Sequence, residues 1–222
     1  MRILAIETST SLGGVAILER ERLVRIIEEE VPRRHLEWLA PAIQRLLGEA
    51  GLSPSEIEAV AVSVGPGGFT SLRIGIATAV AWGRARGVPV VGVSTLAALA
   101  AGVAPDGYVC PMLDARRGEV AAALFLTNGA EPKQVLGEIV APLDQILEKL
   151  PPEGPITFAG DALAMYEREV TSRLGERATI APRAQWAPRA AHVGRIGWPR
   201  LARGEHDDLY HVLPVYARVP VA

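Results

Sequence analysis

The strongest chemical signal in the chain is Gly65-Pro-Gly-Gly-Phe-Thr-Ser-Leu-Arg-Ile-Gly75, which leaves an apolar run from Ala59 to Val64 and feeds an alanine-rich segment. Glycine tolerates positive φ and lets another group approach the backbone, and a helix start offers unpaired N–H donors with partial positive charge. Such a turn can hold a phosphate. It is not a P-loop, because no Gly-Lys-Ser/Thr follows, and the spacing of Gly65, Gly67 and Gly68 does not fit the dinucleotide fingerprint. A second reading needs no ligand: the glycines only let Phe69 tuck under the following helix. Two acids, Glu7 and Asp114, each stand beside a hairpin turn, and Glu7 is followed by Thr8-Ser9-Thr10. A carboxylate with neighbouring hydroxyls could hold a magnesium-bound water and phosphate oxygens. Each acid could equally bond only its own turn, and Ala115-Arg-Arg supplies bulk where a phosphate-gripping loop wants glycine.

Other chemistries are poorly supplied. The histidines, at 35, 192, 206 and 211, include no i, i+4 pair, so no metal site is expected. No Gly-x-Ser-x-Gly elbow occurs. Cys110, the sole cysteine, excludes an intrachain disulfide and reads as a small buried hydrophobe.

The elements that must position these residues follow from hydrophobic periodicity. Residues 2–6, 15–18 and about 23–31 read as strands, the first two joined by the hydroxyl-rich turn. From Pro32 to Ala50, Leu36, Leu39, Ala40, Ile43, Leu46, Leu47 and Ala50 recur at three and four, with Trp38 off that stripe, Pro41 as a kink or a start, and Gly51 as the stop. Ser53-Pro-Ser-Glu56 is a capping box. A buried strand at 59–64, a helix at 71–86, a strand at 89–93 and a helix at 94–101 complete a parallel α/β pattern. The pattern restarts at about Pro105 with a hairpin of 108–114 and 119–126, then a helix at 143–150, a strand at 156–159 leading to Gly160-Asp161, a helix to 174 and an Arg/Ala helix at 187–202. Two halves opening on hairpins point to an internal duplication, with a first lobe at 1–104 and a smaller second lobe at 105–222 whose C-terminal segment can return to the first.

With 222 residues, 49% hydrophobic and 22% charged, the chain is globular. No apolar run reaches the ~20 residues of a membrane span and no signal peptide opens it, so a cytoplasmic, membrane-free protein is expected. A net charge of −2 argues against a chain that coats nucleic acid alone. Between Glu176 and Arg203, however, Arg177, Arg183, Arg189, Arg195, Arg200 and Arg203 face one acid. That segment could touch RNA phosphates within an assembly, or form a solvated helix face.

With Ile3-Leu-Ala-Ile-Glu-Thr-Ser-Thr10, Arg34-His35 ahead of Leu39-Ala-Pro41, the glycine signature, Leu113-Asp-Ala-Arg-Arg-Gly-Glu-Val120 and Pro214-Val-Tyr-Ala-Arg218 in order, the chain resembles the TsaB (YeaZ) family along its whole length. The family signature reads Gly-Pro-Gly-Ser-Phe-Thr-Gly-Leu-Arg-Ile-Gly, so Gly68 and Ser71 depart from it. The resemblance implies an actin-like (ASKHA) α/β fold of two ribonuclease H-like lobes, the second reduced. It also implies a part in forming threonylcarbamoyladenosine beside the anticodon of tRNAs that read codons beginning with adenosine. There a TsaD-type paralogue transfers the threonylcarbamoyl group, a TsaE-type ATPase joins the assembly, and TsaB is the non-catalytic subunit that binds and activates the paralogue. The paralogue's metal-binding His-x-x-x-His has here His35 and then Leu39, which cannot ligate a metal. The protease activity once attached to relatives finds no motif.

The resemblance further implies an interface through the first-lobe helices, with the paralogue or with a second copy. On these helices Trp38, Leu39, Leu72, Gly75, Ile76, Ala79, Trp82 and Gly83 are the expected contacts, because Gly75, Ala79 and Gly83 recur at four and tryptophans anchor interfaces. That stripe could instead pack on the protein's own sheet. Glu7, Thr8, Ser9, Gly65, Gly67 and Asp114 are expected as vestigial nucleotide contacts. No cofactor is expected on the chain alone, with ATP or ADP and magnesium in the complex, and tRNA reached only through it. The rival reading is a stand-alone small actin-like ATPase or kinase using Glu7, Thr8 and the Gly65 turn against Asp114.

Overall fold

The computed structural model describes residues 1–103, 106–128 and 131–215. In chain order the elements are β1 (Arg2–Glu7), β2 (Leu12–Glu19), β3 (Arg22–Glu30), α1 (His35–Ala50), β4 (Ala59–Gly65), α2 (Phe69–Arg86), β5 (Val90–Ser94) and α3 (Thr95–Ala100). Then follow β6 (Gly107–Arg116), β7 (Glu119–Thr127), β8 (Lys133–Ala141), α4 (Leu143–Glu148), β9 (Ile156–Ala159), α5 (Leu163–Leu174), β10 (Ala178–Ile180) and α6 (Ala190–Ala202). They form two compact units, Met1–Ala98 with Pro188–Val215, and Leu99–Ala187. The C-terminal segment through Val215 thus lies with the first unit, and the second is shorter than a 105–222 span.

The first unit is a five-stranded sheet of order β3-β2-β1-β4-β5. β1 runs antiparallel to β2 and parallel to β4, with Ile6 opposite Val62 and Glu7 opposite Gly14. Because side chains alternate along a strand, Leu4, Ile6, Val60 and Val62 point one way, into a core closed by Leu39, Ile43 and Leu46 of α1 and Ile76 and Ala79 of α2. The opposite face carries Ala5 and Ala61 and receives α6. Gly197 passes so close there that a methyl on it would stand 2.9 Å from the Ala61 Cβ. The result is three layers, helices on both faces of a mixed sheet.

Several boundaries differ from the sequence expectation. α1 starts at His35, and Pro41 sits inside it. Its buried arc is His35, Leu39, Ala42, Ile43, Leu46 and Leu47, so Leu36 and Ala40 do not face the core. Leu36 lies in the first turn and is 74% exposed. Gly51 ends the helix in the left-handed conformation. The capping box forms, with Glu56 accepting the Ser53 N–H at 2.9 Å, but it closes one 3-10 turn only.

The second unit repeats the arrangement in its order β10-β9-β6-β7-β8, with β6 antiparallel to β7 and parallel to β9. If β6 stands for β1, the order is that of the first sheet, which gives the duplication a structural form. Two of its strands, β8 and β10, have no counterpart in the sequence reading. β8 is an edge strand whose first six residues are mostly exposed, and β10 spans three residues.

Candidate functional site

At the carboxyl ends of β1 and β4 three segments converge: the turn after β1, the glycine turn after β4 and the start of α1. The Gly68 N–H donates to the Ser9 carbonyl at 2.8 Å, and His35 Nε2 donates to the Thr10 carbonyl at 2.9 Å. Burial lowers the pKa of His35, consistent with a neutral ring in this role. A methyl on Gly67 would stand 2.6 Å from the Ser9 carbonyl oxygen, and one on Gly75 would run into the Thr8 hydroxyl. Gly65, at φ +123°, accommodates the carbonyl of Val215, whose N–H bonds the Val64 carbonyl at 2.6 Å. The room that glycine creates is therefore filled by Ser9, Thr8 and Val215 of the same chain. These residues do not fit a phosphate in the glycine turn. Phe69 is not tucked beneath α2 either. It is 42% exposed, with the Arg73 guanidinium 3.8 Å above its ring.

The departures at Gly68 and Ser71 are coupled in space. A Cβ on Gly68 would meet Ser71 Oγ at 2.6 Å, and that hydroxyl donates to the Gly68 carbonyl at 3.1 Å. The family signature puts serine at the first position and glycine at the second. Here the hydroxyl reaches the same corner from the other residue.

Glu7 is fully buried on the α6 face. Its Oε1 accepts the Ser9 N–H at 2.5 Å, while Oε2 has no hydrogen-bond partner among the described residues. Burial pushes its carboxyl up to about 7, partly offset by hydrogen bonding from Ser9. Thr8, Ser9, Thr10, Ser63 and Thr95 also hold buried hydroxyls near the strand ends that have no partner among the described residues. Ser63 and Thr95 were missed by sequence reasoning. Ser63 could have been found, as the one hydroxyl in the apolar run Ala59–Val64. Next to Gly14, which lies opposite both Glu7 and Glu28, Glu28 bonds Arg189 at 2.6 Å, just before α6. The arrangement keeps a carboxyl able to change charge near neutrality but no open cradle beside it.

A stability prediction follows from Glu7. The folded state favours its protonated form, so the fold binds the extra proton between pH 4.5 and about 7, and stability declines as pH rises through that window. Glu7→Gln removes the cost. Its stability relative to the wild type should improve by about 2 kcal/mol between pH 5 and pH 8 in denaturant titrations. His192, pushed down to about 4 by burial and by Arg195 and Arg189, imposes the opposite slope below 6.5 on both proteins and cancels in the comparison. An equal difference at the two pH values would refute the assignment.

Asp114 lies in the second unit and serves its own hairpin. Its carboxylate accepts the Arg116 N–H at 2.8 Å and pairs with the Arg116 guanidinium at 3.0 Å, while its N–H bonds Asp161 at 2.9 Å.

The expected interface residues fall mostly inside. Leu39, Leu72, Gly75, Ile76, Ala79 and Gly83 are buried in the first unit, with Gly83 against Val90. Trp38 lies over Gly13 and Val31, its Nε1 donating to Glu29 at 3.1 Å, and Trp82 packs partly buried on the same core. The Gly75-Ala79-Gly83 stripe is core because α2 must lie close to Thr8 and Val90. α2 turns Thr70, Arg73, Ala77, Ala81 and Arg84 outward, along with Phe69, Ala85 and Arg86 at its ends. The arginine-rich segment is likewise occupied. Arg189 pairs with Glu28, Arg200 with Asp207 and Arg203 with Glu205, Arg177 bonds the Pro151 and Gly154 carbonyls, and Arg183 lies over Trp186.

Among the described residues no helix is long and apolar enough to cross a membrane. The family model described as TsaD, tRNA N6-adenosine threonylcarbamoyltransferase, matches residues 23–218. The tRNA threonylcarbamoyladenosine biosynthesis protein TsaB of Bacillus subtilis is 30% identical over all of this chain and 96% of its own length. The protein of the same name from Escherichia coli is 41% identical over the same shares. YeaZ from Pseudomonas aeruginosa superposes with a TM-score of 0.83 at 30% identity, covering 97% of this chain and 99% of that one. Full-length similarity, a shared actin-like architecture and the glycine signature lead to one conclusion: the chain belongs to the TsaB (YeaZ) family of tRNA threonylcarbamoyladenosine biosynthesis.

Proposed function

We propose that this chain is a non-catalytic adaptor that binds and activates a TsaD-type transferase, with a TsaE-type ATPase in the same assembly and tRNA reached only through it. Alone it forms a homodimer, and it works in the cytoplasm. The observation that carries this reading is the filled glycine turn. Ser9 and Val215 lie against Gly67 and Gly65, and the Gly68 N–H is taken by the Ser9 carbonyl, which supports a chain without a nucleotide grip of its own. ATP or ADP and magnesium belong to the assembled complex.

The outward residues of α1 and α2 supply the docking face. Trp38 leans toward β3, where it bonds Glu29, while Leu36 and Ala40 of α1 and Ala77 and Ala81 of α2 are exposed. An exposed leucine beside alanines lets a partner helix approach closely. The rival, a stand-alone ATPase or kinase, draws support from the buried Glu7 with its free oxygen.

Reconstituted tRNA threonylcarbamoylation separates the two. With the transferase and ATPase present, leaving out this chain should abolish nearly all product, and the chain alone should turn over no ATP. Product formation at full rate without it, or ATP turnover by the isolated chain, would refute the adaptor reading.

A further inference from the structure

We infer that residues 205–215 form a displaceable strap that pins α2 to its sheet and so controls the docking face. The root of the strap caps the edge strand β5. The Asp207 N–H bonds the Val90 carbonyl at 3.0 Å, and its carboxylate accepts the Gly92 N–H at 2.7 Å. Arg200 of α6 bonds the Gly92 carbonyl at 2.9 Å and Asp207 at 2.6 Å. Beyond the root, Leu209 reaches Gly83 near the C-terminal end of α2, and the Tyr210 ring lies under the Arg84 guanidinium at 4.6 Å. Val212 enters the core shared by α1 and α2. Val215 then bonds Val64 and lies against Gly65, at the end of β4 and four residues before α2 begins. One short segment thus touches the C-terminal part of the helix and the strand end that leads into its start.

Its hold is light. Only Leu209 and Val212 turn inward, while Tyr210, Leu213 and Val215 remain 76, 64 and 48% exposed. A segment with two apolar anchors and few backbone bonds opens locally at far lower cost than the sheet it covers. Gly65 has the conformation required for the strap to pass, which gives that glycine a reason independent of any ligand. The part of the inference that concerns docking rests on the adaptor reading.

The test compares the full chain with a chain ending at Leu213 and with Val215→Pro, which removes the N–H donated to Val64 and restricts the backbone at 214–215. Both should raise amide exchange across 64–72 at least tenfold and leave α1 and β6–β7 at wild-type protection. Affinity for the transferase should weaken at least threefold. Unchanged exchange across 64–72 in Val215→Pro would overturn the strap. Raised exchange with unchanged affinity would overturn its control of docking. If the wild-type chain fails to bind the transferase, the adaptor reading falls, while the exchange result still decides whether the strap pins α2.

Discussion

Gly75→Leu should unfold the first unit or lower its stability by about 3 kcal/mol or more, seen as a large drop in thermal midpoint, rather than yield a folded chain that no longer pairs. The reason is local. Gly75 is buried in mid-α2, and any Cβ there collides with the hydroxyl of Thr8, itself fully buried in the turn after β1. Neither the helix nor the turn can retreat, because Gly68 is bonded to Ser9 and Thr10 to His35. Gly75→Ala should cost about 2 kcal/mol by the same collision, and Thr8→Ala should suppress most of that cost because it removes the atom struck. Additive effects of Gly75→Ala and Thr8→Ala in a double-mutant cycle would show that the contact is not the cause. A folded, stable Gly75→Leu chain that had lost only pairing would return the stripe to the surface.

That stripe shows where the sequence stops being informative. Small residues recur at four on α2 twice, as Gly75-Ala79-Gly83 and as Ala77-Ala81-Ala85, and nothing in the helix itself says which set faces out. The choice is made by Thr8 and Val90, on other elements. α1 has a related ambiguity, since Leu36 shares the helical spacing of Leu39 and Ile43 but lies in the first turn, where it is left exposed. The parallel strands and the hairpins were legible because β1, β2, β4, β5, β6 and β7 are short, nearly continuous apolar runs between turn residues. β8 was not, since Lys133, Gln134 and Gly137 interrupt an edge strand that buries little. For Glu7 and the glycine turn, the residues were legible and their relation was not. Sequence showed an acid, hydroxyls and glycines, and the fold shows that the hydroxyls and glycines pack against one another.

The outer face of α1 and α2 should tolerate charge in the monomer and reject it in the complex. Leu36→Asp and Ala77→Arg replace exposed residues that make no core contact, so each should leave the stability of the isolated chain within about 0.5 kcal/mol. Buried at a helix-to-helix contact, the same charges would lose their hydration without a partner and would hold the helices apart where small side chains let them approach. The expected cost is about 2–5 kcal/mol of binding, or roughly 30- to several-thousand-fold in affinity, with a matching loss of threonylcarbamoylation at limiting concentrations. Raising the concentration of the variant should restore activity, because a docking defect is overcome by mass action whereas a catalytic one is not. Wild-type affinity in both variants would move the docking face off these helices. A charge at either position that melted the monomer would show instead that the residue belongs to the core.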